Sequence, residues 1–302
     1  MRNWKLIIRP FVKTQNGVYS FLTEITITDL KVVFNITDTL LGDPLTANFV
    51  VHGLAPKTHQ TMNQNLCLIQ LLTGYGSEEP QLLFEGEIIN SYQLRADTEM
   101  TRVIWARSLG SLMDLYTPDL ESFSESVSPQ TILDLLVNES PTITYISYTG
   151  QTQLKLLYAE KLKEYTFGGT LKEELNELLR PLEIQWTIHN NELVLAGELD
   201  KSILYEGDSL FEVSIDSGLL TRPKIDWVGI EFDHLLTPQL YPTGIINLIP
   251  QTVERDFGNE LYVPQPDIEM RISGNFRVME AKHSGDTRGD TWKTSVKAYS
   301  KV

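Results

Sequence analysis

Five histidines, one cysteine and the tetrapeptide His283-Ser284-Gly285-Asp286 are the residues of this 302-residue chain best suited to move protons, attack carbonyls or hold a metal. No two of His52, His59, His189, His234 and His283 stand at the i,i+4 spacing that places two ligands on one helix face. His52 and His59 flank a Pro-containing loop, which argues further against a ligand pair. A Ser-His-Asp hydrolase usually carries its nucleophile on a sharp Gly-x-Ser-x-Gly turn, and no such pentapeptide occurs. His283-Ser284-Gly285-Asp286 lies between two candidate strands, Arg271 to Glu280 and Thr291 to Tyr299. Gly285 and Gly289 suit the positive φ of a connecting turn. The tetrapeptide therefore reads as a polar turn in preference to a fragment of a hydrolase or a metal site.

Phe167-Gly168-Gly169-Thr170 precedes a helix, as a phosphate cradle does, but lacks the lysine and the spacing of a P-loop. A tight turn into a capped helix is the preferred reading over an anion site. Cys67 sits in the apolar run Leu66-Cys67-Leu68-Ile69 and reads as a small buried hydrophobe. A single cysteine excludes an internal disulfide and a cysteine-based zinc cluster. The acidic pairs Glu78-Glu79 and Glu173-Glu174 read as solvated surface groups, since glycosidase chemistry needs two carboxyls facing each other across a cleft. The sequence thus assigns no catalytic, cofactor-binding or metal-binding residue, and the chain is expected not to be an enzyme.

Composition narrows the partners. A net charge of −15 repels phosphate backbones, which argues against specific nucleic-acid binding. With 41% hydrophobic and 22% charged residues the chain suits a folded, soluble protein long enough for two or three cores. Its longest apolar runs, Asn65 to Leu72 and Ile245 to Ile249, fall far short of the ~20 residues that cross a bilayer, so no membrane insertion is expected. The N-terminus carries no export signal, which places synthesis in a cytoplasm.

The elements divide into three stretches. In residues 1–110, period-two and β-branched runs predict strands at Phe21 to Thr28, Lys31 to Thr37, Leu45 to Val51, Asn65 to Leu72, Gln81 to Ser91 and Thr101 to Arg107. Breaks fall at Gly42-Asp43-Pro44, Gly74-Tyr75-Gly76 and Ala96-Asp97-Thr98, and the spacing suggests a barrel or sandwich. Residues 111–207 change character. Ser128-Pro129 starts a helix that Pro141 stops, and Thr170 with Glu173 has capping-box spacing ahead of the apolar face Leu171, Leu175, Leu178 and Leu179. Glu183 to Ile188 and Glu192 to Leu195 then form a hairpin around His189-Asn190-Asn191. In residues 208–302 strands return at Leu210 to Ile215, Asp226 to Phe232, Gly244 to Pro250, Met270 to Glu280 and Thr291 to Tyr299. Gln251 to Asp267 reads as an extended loop.

Several separated segments resemble the baseplate hub proteins of tailed phages, a group that includes the late-control D proteins and the hub portion of type VI secretion spikes. At the front these are Leu45-Thr46-Ala47-Asn48-Phe49-Val50-Val51-His52-Gly53-Leu54, Leu71-Leu72-Thr73-Gly74-Tyr75-Gly76, Leu83-Phe84-Glu85-Gly86-Glu87-Ile88 and Met100 to Ala106. In the middle, Phe167-Gly168-Gly169-Thr170 with the Leu175/Leu178/Leu179 helix and the Trp186 strand resembles the inserted domain of hubs. At the back the resemblance rests on Ser217-Gly218-Leu219-Leu220, Leu235 to Leu240 with Gly244, and Gly274 to Val278 with His283 to Asp286 and Trp292.

The resemblance implies a mostly β fold with a small α+β insert: two tail-tube-like antiparallel β-barrel domains, 1–110 and 208–302, flanking a middle α+β domain, 111–207. It implies a homotrimer forming a pseudo-sixfold ring that joins the tail tube to a central spike in the virion baseplate. Expected partners are a separate spike protein, the tail tube protein, other baseplate proteins and the tape-measure protein, with DNA passing through the lumen without specific binding. No cofactor is implied. Two alternatives stay open: the hub of a type VI or other contractile injection system, and a receptor-contacting carbohydrate-binding tail protein. The last predicts exposed aromatic platforms, whereas Trp4, Trp105, Trp186, Trp227 and Trp292 mostly sit in apolar strand contexts.

Overall fold

A computed structural model describes residues 2–13, 19–40, 45–96, 99–108, 117–120, 122–140, 143, 145–149, 155–189, 192–197, 210–225, 229–252, 254–255 and 271–299. The chain is mostly β, as its alternating runs predict, with few helices and one large, chiefly antiparallel sheet.

The first stretch contains β1 (Arg2–Lys13), β2 (Tyr19–Phe21), β3 (Ile25–Ile27), β4 (Val32–Thr39), β5 (Thr46–His52), α1 (Pro56–Gln64), β6 (Leu66–Tyr75), β7 (Gln81–Ala96) and β8 (Glu99–Ser108). Burial alternates along β4 to β6 with the period of two that the sequence carries. Inward residues from across this sheet, Leu6, Ile27, Phe34, Phe49, Ile69, Phe84 and Ile104 among them, meet in one core. The sheet therefore curls around its own interior, as a barrel does. Among the described residues no β3–β4 pairing closes it.

Two elements here differ from the expectation. Arg2 to Lys13 is a full strand, paired with β6 from Arg2↔Tyr75 to Phe11↔Leu66. The loop expected between His52 and His59 is short, because a helix starts at Pro56. Only His59 and Met62 of α1 are buried, so it has no apolar stripe to announce it.

The middle stretch contains α2 (Pro129–Glu139), β9 (Tyr145–Thr149), α3 (Leu156–Ala159), α4 (Leu171–Leu179), β10 (Gln185–His189) and β11 (Glu192–Ala196). The Thr131 backbone N–H donates to Ser128 Oγ at 3.2 Å, so the serine caps α2 as expected. The Thr170/Glu173 capping box of α4 is complete. The predicted hairpin pairs Trp186↔Leu195 and Ile188↔Leu193, its tip at 190–191 lying outside the described residues. A parallel partner, β9, completes a three-stranded sheet that the sequence reading did not anticipate. Leu133, Leu136, Leu175, Leu179, Trp186 and Leu195 share the core of this unit.

The last stretch contains β12 (Leu210–Val213), β13 (Lys224–Ile225), β14 (Ile230–Leu235), β15 (Ile245–Thr252), β16 (Glu254–Arg255), β17 (Arg271–Asp286) and β18 (Trp292–Tyr299). Of the loop expected over Gln251 to Asp267, residues 251–252 and 254–255 are strand; 253 and 256–267 lie outside the described residues. Phe232, Leu248, Phe276, Val278 and Val296 lie in its core.

β17 joins the two β-rich stretches into one sheet. Its first half pairs with β15 from Thr252↔Arg271 to Ile245↔Arg277, and its second half pairs with β4 from Glu280↔Thr39 to Asp286↔Val33. Leu236 and Trp292, both from the last stretch, accordingly lie in the core of the first.

The two β units repeat one pattern. β7 and β17 are both sixteen residues long, and each forms a hairpin with the next strand, β8 or β18. Each hairpin slips register at the ninth residue, Ile89 or Met279. The strand orders correspond as well: β4-β5-β8-β7-β6-β1 in one unit, and β13-β14-β18-β17 followed by β15 and β12 in the other, except that β1 runs antiparallel to β6 whereas β12 runs parallel to β15. One difference stands out. The second half of β17 has β4 on its free side, whereas the second half of β7 pairs with β8 alone among the described residues.

Candidate functional site

His283-Ser284-Gly285-Asp286 is not a turn. It forms the last four residues of β17, and the turn falls at 287–290. Strand alternation sends its side chains in opposite directions. His283 is buried, with Nδ1 2.9 Å from Thr294 Oγ1, and burial pushes its pKa down to about 3. Ser284 Oγ donates to Asn35 Oδ1 at 2.9 Å on the exposed side. Serine and histidine therefore lie on opposite faces and form no nucleophile–base pair. Gly285 is glycine for space and not for positive φ: an added Cβ would stand 2.4 Å from the Phe34 ring and 2.8 Å from Trp292. Asp286 Oδ1 accepts from the N–H groups of Arg288 and Gly289, both at 2.9 Å. Burial opposes its ionisation, but these donors and Lys31 outweigh it and hold the carboxyl below its ordinary range.

The histidines are scattered with one exception. His52 ends β5 and His234 is buried in β14, while His59 is buried on α1. His189, at the end of β10, reaches the β units: its Nδ1 lies 3.6 Å from Asp38 Oδ2 on β4, and its ring stacks on Tyr241 at 4.4 Å and 17°. Burial raises the Asp38 pKa, against the pull of His189. Arg277 Nη1 donates to the Gly197 carbonyl, and Tyr299 Oη donates to Gln185 Oε1 at 2.9 Å. These contacts fasten the middle unit across the β17–β4 seam. The sequence offered no sign of Asp38, which lies in an ordinary alternating strand.

The glycine turn before α4 has its anion supplied internally. Glu174 is buried, its Oε1 accepting from the N–H groups of Gly168 and Gly169 at 2.9 and 2.7 Å. Tyr165 Oη donates to its Oε2 at 2.8 Å. This corrects the solvated reading of Glu174, whereas Glu78 and Glu79 are exposed. Cys67 is buried, as its apolar run predicted. Of the described residues, no three among His, Cys, Asp and Glu cluster to hold a metal, and no helix is long and apolar enough to cross a membrane.

What the chain does present is a surface. The outer half of the β7–β8 hairpin places Asn90, Tyr92 and Leu94 opposite Trp105, Val103 and Thr101 on one face. Tyr92, Leu94 and Trp105 are 43%, 48% and 44% exposed, and Ile89 at the bulge is 60% exposed. The apolar strand context of Trp105 in the sequence did not reveal this, because the alternation turns Trp105 outward while Ile104 and Ala106 face the core. Trp186 and Trp292 are buried; Trp227 lies outside the described residues. An apolar strip beside a strand edge that is unpaired among the described residues is the kind of surface that proteins use for association.

No protein-family model matches the sequence, and no curated protein matches it. Solved structures do match the fold. A tail protein from Neisseria meningitidis is similar over 99% of this chain and 97% of its own, at 10% identity and a TM-score of 0.57. A 43 kDa tail protein of prophage MuSo2 from Shewanella oneidensis is similar over 97% of this chain and 98% of its own, at 9% identity and a TM-score of 0.58. An Escherichia coli component of the type VI secretion system, described as structurally similar to the T4 bacteriophage tail proteins gp27 and gp5, is similar over 91% of this chain and 74% of its own. There the identity is 10% and the TM-score 0.52. Across nearly its whole length, then, this chain shares its fold with phage tail and type VI secretion proteins.

Proposed function

We propose that this chain is a structural hub of a phage tail baseplate, three copies of which form a pseudo-sixfold ring between the tail tube and a central spike. The observation that carries the proposal is the repeat of the β7–β8 hairpin by β17–β18, with bulges at the same place and, among the described residues, one edge left free. Two like units per chain turn a threefold assembly into a nearly sixfold one. Within the chain, β17 pairs with β4. Between chains, the outer half of β7 takes the equivalent place against the β13–β16 end of the next copy. That contact closes the ring, hides the free edge and covers Tyr92, Leu94 and Trp105. The net charge of −15 suits a lumen through which DNA and the tape-measure protein pass without sticking. The fold shared with tail proteins of nearly equal extent supports the same reading.

Cysteines introduced as Gln93→Cys and Lys224→Cys test the arrangement, since Cys67 is buried and its thiol pushed up to about 11 by burial. A short bifunctional crosslinker should join one copy to the next and yield species up to the trimer. Crosslinking no better than either single variant would overturn the ring.

The exposure of Trp105 and Tyr92 also favours a second reading, a receptor-contacting surface that stacks on sugar rings. A glycan array with no hits removes it. The fold is equally compatible with the hub of a contractile injection system, whose assembly would follow the same ring geometry.

A further inference from the structure

Arg102 lies on the core side of β8 at 1% exposure, and its guanidinium has only neutral company. Nη2 donates to Asn63 Oδ1 at 2.8 Å and to Ser91 Oγ at 2.5 Å, and Nη1 lies 3.5 Å from His59 Nδ1. Nε has no hydrogen-bond partner. The nearby Cys67 is held as a neutral thiol. Among the described residues no carboxylate pairs with Arg102. A buried cation is ordinarily retained with an anion beside it.

The guanidinium also sets the polarity of the wall in front of it. Asn63 turns its carbonyl to Nη2, which leaves its amide N–H groups for the outside. A guanidinium only donates, so His59 Nδ1 must accept and the ring proton sits on Nε2. That Nε2 is buried and makes no hydrogen bond. Burial, then the Arg102 charge, lowers the His59 pKa, which keeps the ring neutral. His59 and Asn63 line an open cleft of about 550 Å³ together with Gln60, Gln64, Gln93 and Met100. Its size falls among small-ligand sites, roughly 300–1,000 Å³.

We propose that this cleft, between α1 and the β7–β8 hairpin, binds a carboxylate presented by a peptide. The exposed Asn63 amide donates to it, with buried His59 beside it and Arg102 behind both supplying the compensating charge. No lysine or arginine lines the cleft, so one positive charge faces one negative charge. A chain of net charge −15 disfavours more highly charged phosphates at the same place. Gln93 belongs both to this cleft and to the strand edge that closes the ring, but His59 and Asn63 stand on α1, so the proposal does not rest on the ring.

Nuclear magnetic resonance of the ¹⁵N-labelled full chain reads the Asn63 amide and His59 ring signals directly. The probes are a peptide capped at both ends with one glutamate side chain, an N-terminally blocked triglycine with a free C-terminus, its amidated counterpart, and inorganic phosphate. Saturable shifts at both residues are expected with one or both carboxylate peptides, which also tells side chain from C-terminus, and not with the amide or phosphate. Asn63→Leu, on the exposed side of α1, should weaken binding about tenfold. Arg102→Gln should abolish it, and if that variant does not fold, Asn63→Leu still decides. No saturable shift with either carboxylate, an equal response to the amide or phosphate, or undiminished binding by Asn63→Leu would overturn the proposal.

Discussion

Ile89 and Met279 interrupt two sixteen-residue strands at the same ninth position, each opposite a hairpin partner that runs on without a break. A bulge bends and twists its strand, and here it marks where each strand changes company. Before the bulge, β17 lies on β15; after it, on β4. β7 makes the first change without the second. Among the described residues, the chain therefore contains one finished junction and one copy of it that lacks the second partner.

Tyr92→Asp and Leu94→Asp should leave the isolated chain about as stable as before, within roughly 0.5 kcal/mol, because both side chains are half-exposed. Both should abolish self-association. Urea unfolding and sedimentation velocity on the same samples separate the two effects.

Glu174→Ala should cost more than Glu173→Ala. Glu174 holds two glycine N–H groups and the Tyr165 hydroxyl in a buried place, so its loss strands several donors, at about 3 kcal/mol. Glu173 sits in an exposed capping box, where water replaces most of what its side chain supplies. Equilibrium denaturation of the two variants gives the order.

Stability should fall in acid through His283. Its folded pKa is about 3 and its unfolded pKa about 6.5, so the unfolded chain binds the proton first as pH drops. The stability is fully present above about pH 6.5 and is lost toward pH 3, with a limiting slope of about 1.4 kcal/mol per pH unit for one proton. Buried His234 and His59 shift in the same direction. Asp38, raised by burial, contributes in the opposite sense, its share being present at low pH and lost as pH rises. His283→Leu should flatten the profile between pH 6.5 and 4, measured by melting temperature against pH.

His189→Ala should loosen the middle unit without unfolding the sheet, since it removes the Asp38 contact and the Tyr241 stack together. Hydrogen exchange should quicken in β10 and β11 and stay unchanged in β4 and β17.

Local order was the most legible in the sequence. Ser128-Pro129, the Thr170/Glu173 box and the alternation of Val32 to Val51 each carry their own physical cause within a few residues. The polar helix α1 has no apolar face and left no periodic trace. The β17–β4 seam brings His283 beside Ile36, nearly the whole chain apart, and no local pattern encodes such pairing. His283 was misplaced for that reason: the glycine after it reads as a turn residue until Phe34 and Trp292 are seen pressing on its α-carbon. Arg102 carried no motif at all, since a buried arginine looks like a surface one in sequence.

The central claim is the ring, and end-on electron-microscopy averages of the purified chain with its spike test it most directly. Three chains of 34.4 kDa displaying six lobes around an open centre are the predicted result. A ring of six chains, or single chains bound separately to the spike, would contradict it.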